Sequence, residues 1–179
     1  MNNSNHSNIL IIGGGCAGIS VATRLKSLKS DLSISIIEPS EKSLYQAAWT
    51  LVGAGAYDVN STIKPMSSVM PNYVNWIKEY AESFSPESNS VKTSSGEYSY
   101  DYLVVCPGLK INFDGVAGLK ETLGKNNVCT NYSSDMAVYT WECLKNLQGG
   151  NLLFTEPPMP IKCAGAPQKI AYLAADHLK

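Results

Sequence analysis

Asn8-Ile9-Leu10-Ile11-Ile12-Gly13-Gly14-Gly15-Cys16-Ala17-Gly18 (NILIIGGGCAG, residues 8–18) decides how the rest of the chain reads. Four consecutive bulky aliphatic residues followed by three glycines have the length and composition of a short buried strand. Beyond the glycines, Val21, Leu25 and Leu28 recur at i, i+4 and i+7, the spacing of one helix face. Ser33–Glu38 reads as the next strand. Strand, glycine turn, helix and strand within about thirty residues is a βαβ unit, and joining parallel strands this way requires a right-handed crossover. An α/β fold with a parallel sheet follows.

The turn itself carries chemistry. Residues 13–18 satisfy GxGxxG between a strand and a helix. Gly13 permits the tight turn, Gly15 lets backbone approach a pyrophosphate, and Gly18 lets the helix pack closely on the strand. The helix start offers free N–H groups and the positive end of its dipole to an anion. Glu38 arrives twenty residues after Gly18, where a carboxylate accepts hydrogen bonds from a ribose. A carboxylate there favours a free ribose hydroxyl over a 2'-phosphate, which leaves FAD and NAD as ligands of a Rossmann-like, FAD/NAD(P)-binding fold. Cys16, beside the pyrophosphate turn, is expected to present its backbone rather than its sulfur.

Further along, Tyr45–Ala56 is weakly helical and ends in a glycine-rich run, and Tyr73–Phe84 is expected to be extended. Val91–Thr93 and Glu97–Tyr100 read as a hairpin around Ser94-Ser95-Gly96, and Tyr102–Cys106 as a buried strand ending at Pro107-Gly108. A small antiparallel layer would thus accompany the parallel sheet. Asp135–Leu147 has a helical pattern with Ser134 or Asp135 as cap and Gly149-Gly150 as its close. Asn151–Thr155 begins like another strand, and a helix opening near Pro167 places Ile170, Leu173, Ala174 and His177 on one face.

One strand and one helix cannot bury their apolar faces alone, so this last part is expected to be the start of a second nucleotide-type domain. The organisation expected is a FAD-binding domain over 8–115, a connector with a helix over 116–149, and that second start over 150–179.

Composition excludes several classes. With 44% hydrophobic and 16% charged residues the chain has the balance of a folded domain. Its formal net charge of -1 and scattered lysines give no basic stripe for a nucleic acid. MNNSNHS has neither an apolar nor an arginine-rich character, so no signal or transit peptide is read and localisation is unknown from this stretch. The uncharged run Ile9–Thr23 is broken by glycines and too short to span a bilayer. Five cysteines show no CxxC and no zinc-like spacing, so no metal site is expected and most are read as small buried residues. His6, in the polar tail, and His177 form no catalytic pair, and Trp49, Trp76 and Trp141 are read as packing residues.

Cys163 is the exception. A second nucleotide site would place glycines directly after Phe154; Thr155-Glu156-Pro157-Pro158-Met159-Pro160 puts rigid bulk and an acid there, which argues against NADH as electron donor. Cys163 comes just before the next helix, flanked by Lys162, with Lys169 one turn inside. Positive dipole ends and nearby lysines favour the thiolate, the nucleophilic form. Redox chemistry is the expectation for this thiol.

Several stretches carry a family resemblance. Asp101–Gly108 resembles the strand with which flavoproteins of the two-dinucleotide-domain class close their FAD domain, with Cys106-Pro107 in place of the usual Ala-Thr. EPSE (38–41), YQAAWTLVGAG (45–55) and KCAGAPQKI (162–170) resemble the sulfide:quinone oxidoreductases of mitochondrial type, and the resemblance runs from about Asn8 to the end. It implies a two-Rossmann FAD enzyme that oxidises hydrogen sulfide at a pair of redox cysteines and passes electrons through flavin to a quinone, the sulfur going to a small acceptor. Cys163 matches the first of that pair, and the second is expected in a C-terminal half that this sequence does not contain.

The resemblance also implies FAD contacts at Gly13, Gly15, Cys16, Ala17, Gly18, Glu38, Gln46, Ala81 and Gly108, and a peripheral attachment to the membrane for the intact protein. Ala47, where a proline is usual, and Ser43-Leu44 depart from the family pattern. Two other readings stay open: an NADH-type or disulfide-type two-Rossmann flavin oxidoreductase, and a non-catalytic FAD-binding fragment. Disulfide reductases usually carry a close CxxxxC near the first helix, and this chain has none.

Overall fold

The computed structural model describes residues 5–179; of the leader reading, the first four residues lie outside the described ones. The chain divides into two compact units, residues 1–43 with 64–108, and residues 44–63 with 109–179. The boundaries drawn from the sequence differ, because residues 44–63 leave the first unit and group with the later chain.

In the first unit His6–Ile12 (β1), Ile34–Ile37 (β2), Val74–Ile77 (β5), Ser83–Ser85 (β6), Ser90–Lys92 (β7) and Glu97–Val105 (β8) form one six-stranded sheet in the order β5-β2-β1-β8-β7-β6. The pairs β1–β2, β1–β8 and β2–β5 are parallel, with Ile11 opposite both Ile36 and Val104. The hairpin β7–β8 and the pair β6–β7 are antiparallel. The expected antiparallel layer is therefore an extension of the parallel sheet.

Helix α1 (Cys16–Leu28) makes the crossover from β1 to β2. Alternation in β1 serves both faces of the sheet: Ile9 and Ile11 pack with Ala22, Ile34 and Ile36, while Leu10 and Ile12 pack with Ile37, Ile77, Val91 and Tyr100. On α1 the fully buried positions are Gly18 and Ala22, with Val21 and Leu25 partly buried beside them. Leu28, expected on that face, is 66% exposed at the last residue of the helix.

Three more readings are corrected here. The two strands expected at 97–100 and 102–106 are one nine-residue strand, β8, and it is not a buried run: Tyr102 is 71% and Val105 56% exposed. His6 lies within β1, its ring Nδ1 2.9 Å from Ser99 Oγ and its Nε2 3.5 Å from Asp101 Oδ1, so it belongs to the sheet rather than to a tail. None of the five cysteines is buried: Cys16 and Cys163 are exposed and Cys106, Cys129 and Cys143 are half-buried.

Lys42–Leu44 (β3) and Ile63–Pro65 (β4) form a separate two-stranded ribbon. The second unit contains the short helices α2 (Trp49–Gly53) and α3 (Leu119–Thr122) and the longer α4 (Ser134–Lys145) and α5 (Gly165–His177). Trp49, Val52 and Ala137 form one small core, and Leu144, Ile170 and Ala174 another. Trp49 is buried with its indole N–H donating to Thr62 Oγ1 (3.3 Å), and Trp141 packs edge-on against His177 with ring centroids 4.8 Å apart.

The strand expected at Asn151–Thr155 does not form; the segment is irregular and exposed, with Leu153 87% accessible. A strand exists only through ladder bonds to a neighbour, and an apolar run without one gains nothing from extending. No described helix is long and apolar enough to cross a membrane.

Candidate functional site

The glycine turn is steric necessity in two places. A Cβ on Gly13, whose φ is +99°, would lie 2.1 Å from the carbonyl oxygen of Cys106. One on Gly18 would lie 1.9 Å from the carbonyl oxygen of Gly13. The end of β1 is thereby pinched between β8 and the first turn of α1, and Cys106 N–H continues the ladder to Ile12 (2.7 Å). At Gly15 a Cβ would meet nothing within 4 Å, so this glycine answers to open space, where a ligand's backbone approach belongs.

The first helical hydrogen bond runs from Ile19 N–H to the Gly15 carbonyl (3.1 Å), so the N–H groups of Cys16, Ala17 and Gly18 lie ahead of the helical ladder. Gly15, Cys16 and Ala17 are exposed, and the first turn carries no acidic residue to repel an anion. That cradle fits the pyrophosphate of a dinucleotide.

Glu38 is held from four sides. Its N–H donates to the Ile77 carbonyl (2.9 Å), and its own carbonyl accepts from the Trp76 indole (2.8 Å). One carboxylate oxygen accepts from Gly14 N–H (2.8 Å) and the other from Ser40 N–H (2.7 Å). The carboxylate is thus set beside the glycine turn with lone pairs left for the hydroxyls of a ribose. Two contributors escaped the sequence reading. A Cβ on Gly14, a free position in GxGxxG, would fall 2.8 Å from Cβ and Cγ of Glu38. Trp76 is no mere packing residue, since it fixes the Glu38 carbonyl.

Of the other expected FAD contacts, Ala81 and Gly108 share the first unit with the turn. Ala81 packs on the core face made by Leu10, Ile12 and Ile37. Gly108 follows Cys106 by two residues, with φ +74° and open space where a side chain would be. Glu79, between β5 and β6, accepts from Ser94 Oγ and Ser95 N–H (3.0 Å each). These bonds, those of Ser95 and Thr93 first, pull its pKa down to about 2 and tie the β7–β8 turn to the Ala81 segment. Gln46 falls in the second unit, exposed at the start of a single 3-10 turn, Gln46–Ala48.

Cys163 lies in the second unit, two residues before α5, exposed, with φ +54°. A left-handed conformation costs a non-glycine residue about 1–2 kcal/mol and is held only where its surroundings require it. Here the Cys163 carbonyl accepts from Ala166 N–H (3.0 Å) and from the Tyr132 hydroxyl (3.2 Å). Tyr132 is a further residue that spacing could not reveal. Its pKa is raised, by burial first and then by the charges of Cys163 and Glu156. Lys162 is half-buried with its ammonium 5.7 Å from the Trp49 ring centroid, and burial lowers its pKa against the opposing effect of Cys163.

A parallel sheet with a glycine turn at its first βα junction and an acid at the end of the second strand defines a dinucleotide-binding domain of Rossmann type. Residues 7–136 match the family described as pyridine nucleotide-disulphide oxidoreductase, and the chain belongs to that family. FAD is the cofactor of this class.

The chain is 46% identical over 178 residues to the mitochondrial sulfide:quinone oxidoreductase of Dictyostelium discoideum and 40% identical over 176 residues to that of Mus musculus. Each alignment takes in 98% of this chain and 39% of the relative, so the chain spans about two-fifths of their length. Among solved structures, the sulfide:quinone oxidoreductase of Aquifex aeolicus superposes with a TM-score of 0.63 at 30% identity, covering 79% of this chain and 32% of that one.

Proposed function

We propose that the chain is the FAD-binding part, together with the first redox cysteine, of an enzyme that oxidises hydrogen sulfide and delivers the electrons to a quinone. The single observation that carries the reading is Cys163, an exposed thiol held in a left-handed backbone conformation ahead of α5. The 46% and 40% identity to sulfide:quinone oxidoreductases over 98% of the chain supports it.

In this reading Gly13, Gly15, Cys16, Ala17 and Gly18 bind the pyrophosphate through backbone, Glu38 orients the ribose, and Ala81, Gly108 and Gln46 lie along the rest of the dinucleotide. Bound FAD supplies a two-electron acceptor. Cys163 and a second cysteine, contributed from outside these 179 residues, form a sulfur bridge that hydrosulfide attacks. One S–S bond breaks and one forms, leaving a persulfide on one cysteine and a thiolate on the other. Once the persulfide sulfur has passed to a small nucleophilic acceptor, both cysteines are thiolates again, and the two electrons released as their S–S bond re-forms are those that bound FAD would accept.

Tyr132 holds the Cys163 carbonyl and so keeps the loop in place for that exchange. The membrane enters as the source of quinone, which the intact protein meets by peripheral association. The competing NADH-type reading lacks a glycine turn after Phe154, where residues 155–160 are TEPPMP. Anaerobic addition of stoichiometric sulfide to the full-length polypeptide is expected to bleach the flavin absorbance while NADH leaves it unchanged; bleaching by NADH and not by sulfide would overturn the proposal.

A further inference from the structure

Two further thiols, Cys129 and Cys143, line one cavity within the second unit. Lys125–Val128 is a tight turn, with Val128 N–H donating to the Lys125 carbonyl (2.9 Å) and Gly124 N–H to the Val128 carbonyl (3.0 Å). Its central residues, Asn126 and Asn127, have φ of +50° and +62°, the left-handed pair that asparagine tolerates best among residues with a side chain.

The backbone of Asn127 then engages two side chains. Its N–H donates to the Tyr139 hydroxyl oxygen (3.2 Å) and its carbonyl accepts from Cys129 Sγ (3.5 Å). Helix α4 presents Tyr139 and Cys143 four residues apart, on one face. Cys143, one turn along that face from Tyr139, lies close enough for its charge to bear on both Cys129 and Tyr139. Both cysteines are half-buried in the wall of a cavity of about 1190 Å³ shared with Thr130, Tyr132 and Ala166.

We propose that Cys129 and Cys143 are a second dithiol site, distinct from Cys163, that oxidises to an intrachain disulfide by exchange with a small-molecule disulfide. The Cys143 thiolate attacks one sulfur of that disulfide, its S–S bond breaks, and one small thiolate leaves with a proton from solvent. Cys129 gives up its proton and attacks the Cys143 sulfur of the mixed disulfide; the Cys129–Cys143 bond forms and the second small thiol departs carrying that proton. The protein loses two electrons and two hydrogens, and the small disulfide gains them.

The order follows from the surroundings. Burial first, then the hydrogen bond and charge of Cys143, push the Cys129 pKa up to about 12, so it starts the exchange poorly. Once Cys143 is capped as a mixed disulfide, its charge no longer opposes ionisation of Cys129; burial still does, and the second attack proceeds against it because it is intramolecular.

The test is peptide mapping under non-reducing conditions after the reduced chain is treated with oxidised glutathione, once folded and once in guanidinium. The folded chain is expected to yield the Cys129–Cys143 linked peptide at least about tenfold more than the denatured chain, because the fold raises the effective concentration of one thiol at the other. The Cys129→Ser variant should stop at a glutathione adduct on Cys143, and the Cys163→Ser chain should form the link as well as the parent, which separates this site from the sulfide reading. Separate glutathione adducts on Cys129 and Cys143, free thiols at both, or the same pairings folded as denatured would overturn it.

Discussion

Residues 8–18 and residues 151–165 both run from an apolar stretch through a loop into a helix of 13 residues, yet only the first becomes a strand and a turn. Ile9–Ile12 has β2 on one side and β8 on the other, so every extended residue gains ladder bonds and burial at once. Leu152–Phe154 has the same hydrophobic character and stays irregular and exposed. The loops differ as much. At 13–18 the backbone is squeezed until two glycines leave no room for a single Cβ, and the helix start is left open for an anion. At the start of α5 Gly165 has nothing within 4 Å of its missing side chain, and the strained residue, just ahead of the helix, is Cys163. One junction is built around the absence of side chains, the other to present one.

The largest break in that contrast comes from adding a methyl group at each. Gly18→Ala is expected to cost about 3 kcal/mol or more in urea unfolding, because its Cβ collides with backbone that cannot rotate away. Gly165→Ala, in open space at the start of α5, is expected to be neutral or stabilising by up to about 1 kcal/mol. Equal costs would mean that the two turns are not sterically different.

Glu38→Ala removes the carboxylate that Gly14 N–H holds beside the turn and that is proposed to orient the ribose. FAD affinity of the full-length polypeptide, read by quenching of flavin fluorescence, should fall about tenfold to a hundredfold, the worth of hydrogen bonds to a charged group. Unchanged affinity would remove Glu38 from the site. At the other junction Cys163→Gly relieves a left-handed cysteine and adds chain entropy to the unfolded state. The two nearly offset, so stability measured by urea unfolding should hold or rise by up to about 1 kcal/mol. A clear loss would show the thiol to be a packing group.

The smallest effect sharpens the sheet side. Glu79 has a folded pKa of about 2 against an ordinary 4.5, so its carboxylate form is favoured by folding. Its contribution is complete above about pH 4.5 and is lost as pH falls toward 2. Amide protection in the 93–96 turn, measured against the intrinsic exchange rate at each pH, should therefore fall across that window, and Glu79→Gln should remove the dependence.

The first junction was legible because each of its requirements is local: period-two burial, glycines where a side chain cannot fit, and an acid at fixed distance. Gly14 escaped because what forbids its side chain is Glu38, twenty-four positions away and brought near only by the β1–β2 pairing. The hairpin at 90–105 was half legible. Its antiparallel arm was expected, but β8 continues unbroken past Asp101, whose carboxylate accepts from the Asn8 side chain (2.8 Å) and lies near His6, and no local pattern signals that. The missing strand at 151–155 shows the limit from the other side, since hydrophobic character gives a tendency and only a neighbour makes a ladder. Tyr132 beside Cys163 and Cys143 beside Cys129 are products of chain folding alone, with no spacing to announce them.

The proposed function requires Cys163 to be the thiol that exchanges sulfur and passes electrons toward the flavin. Its most direct test is anaerobic titration with sulfide of the full-length polypeptide and its Cys163→Ser variant, following flavin absorbance. Bleaching in the parent and none in the variant is the predicted result; a variant that bleaches as the parent does would contradict it.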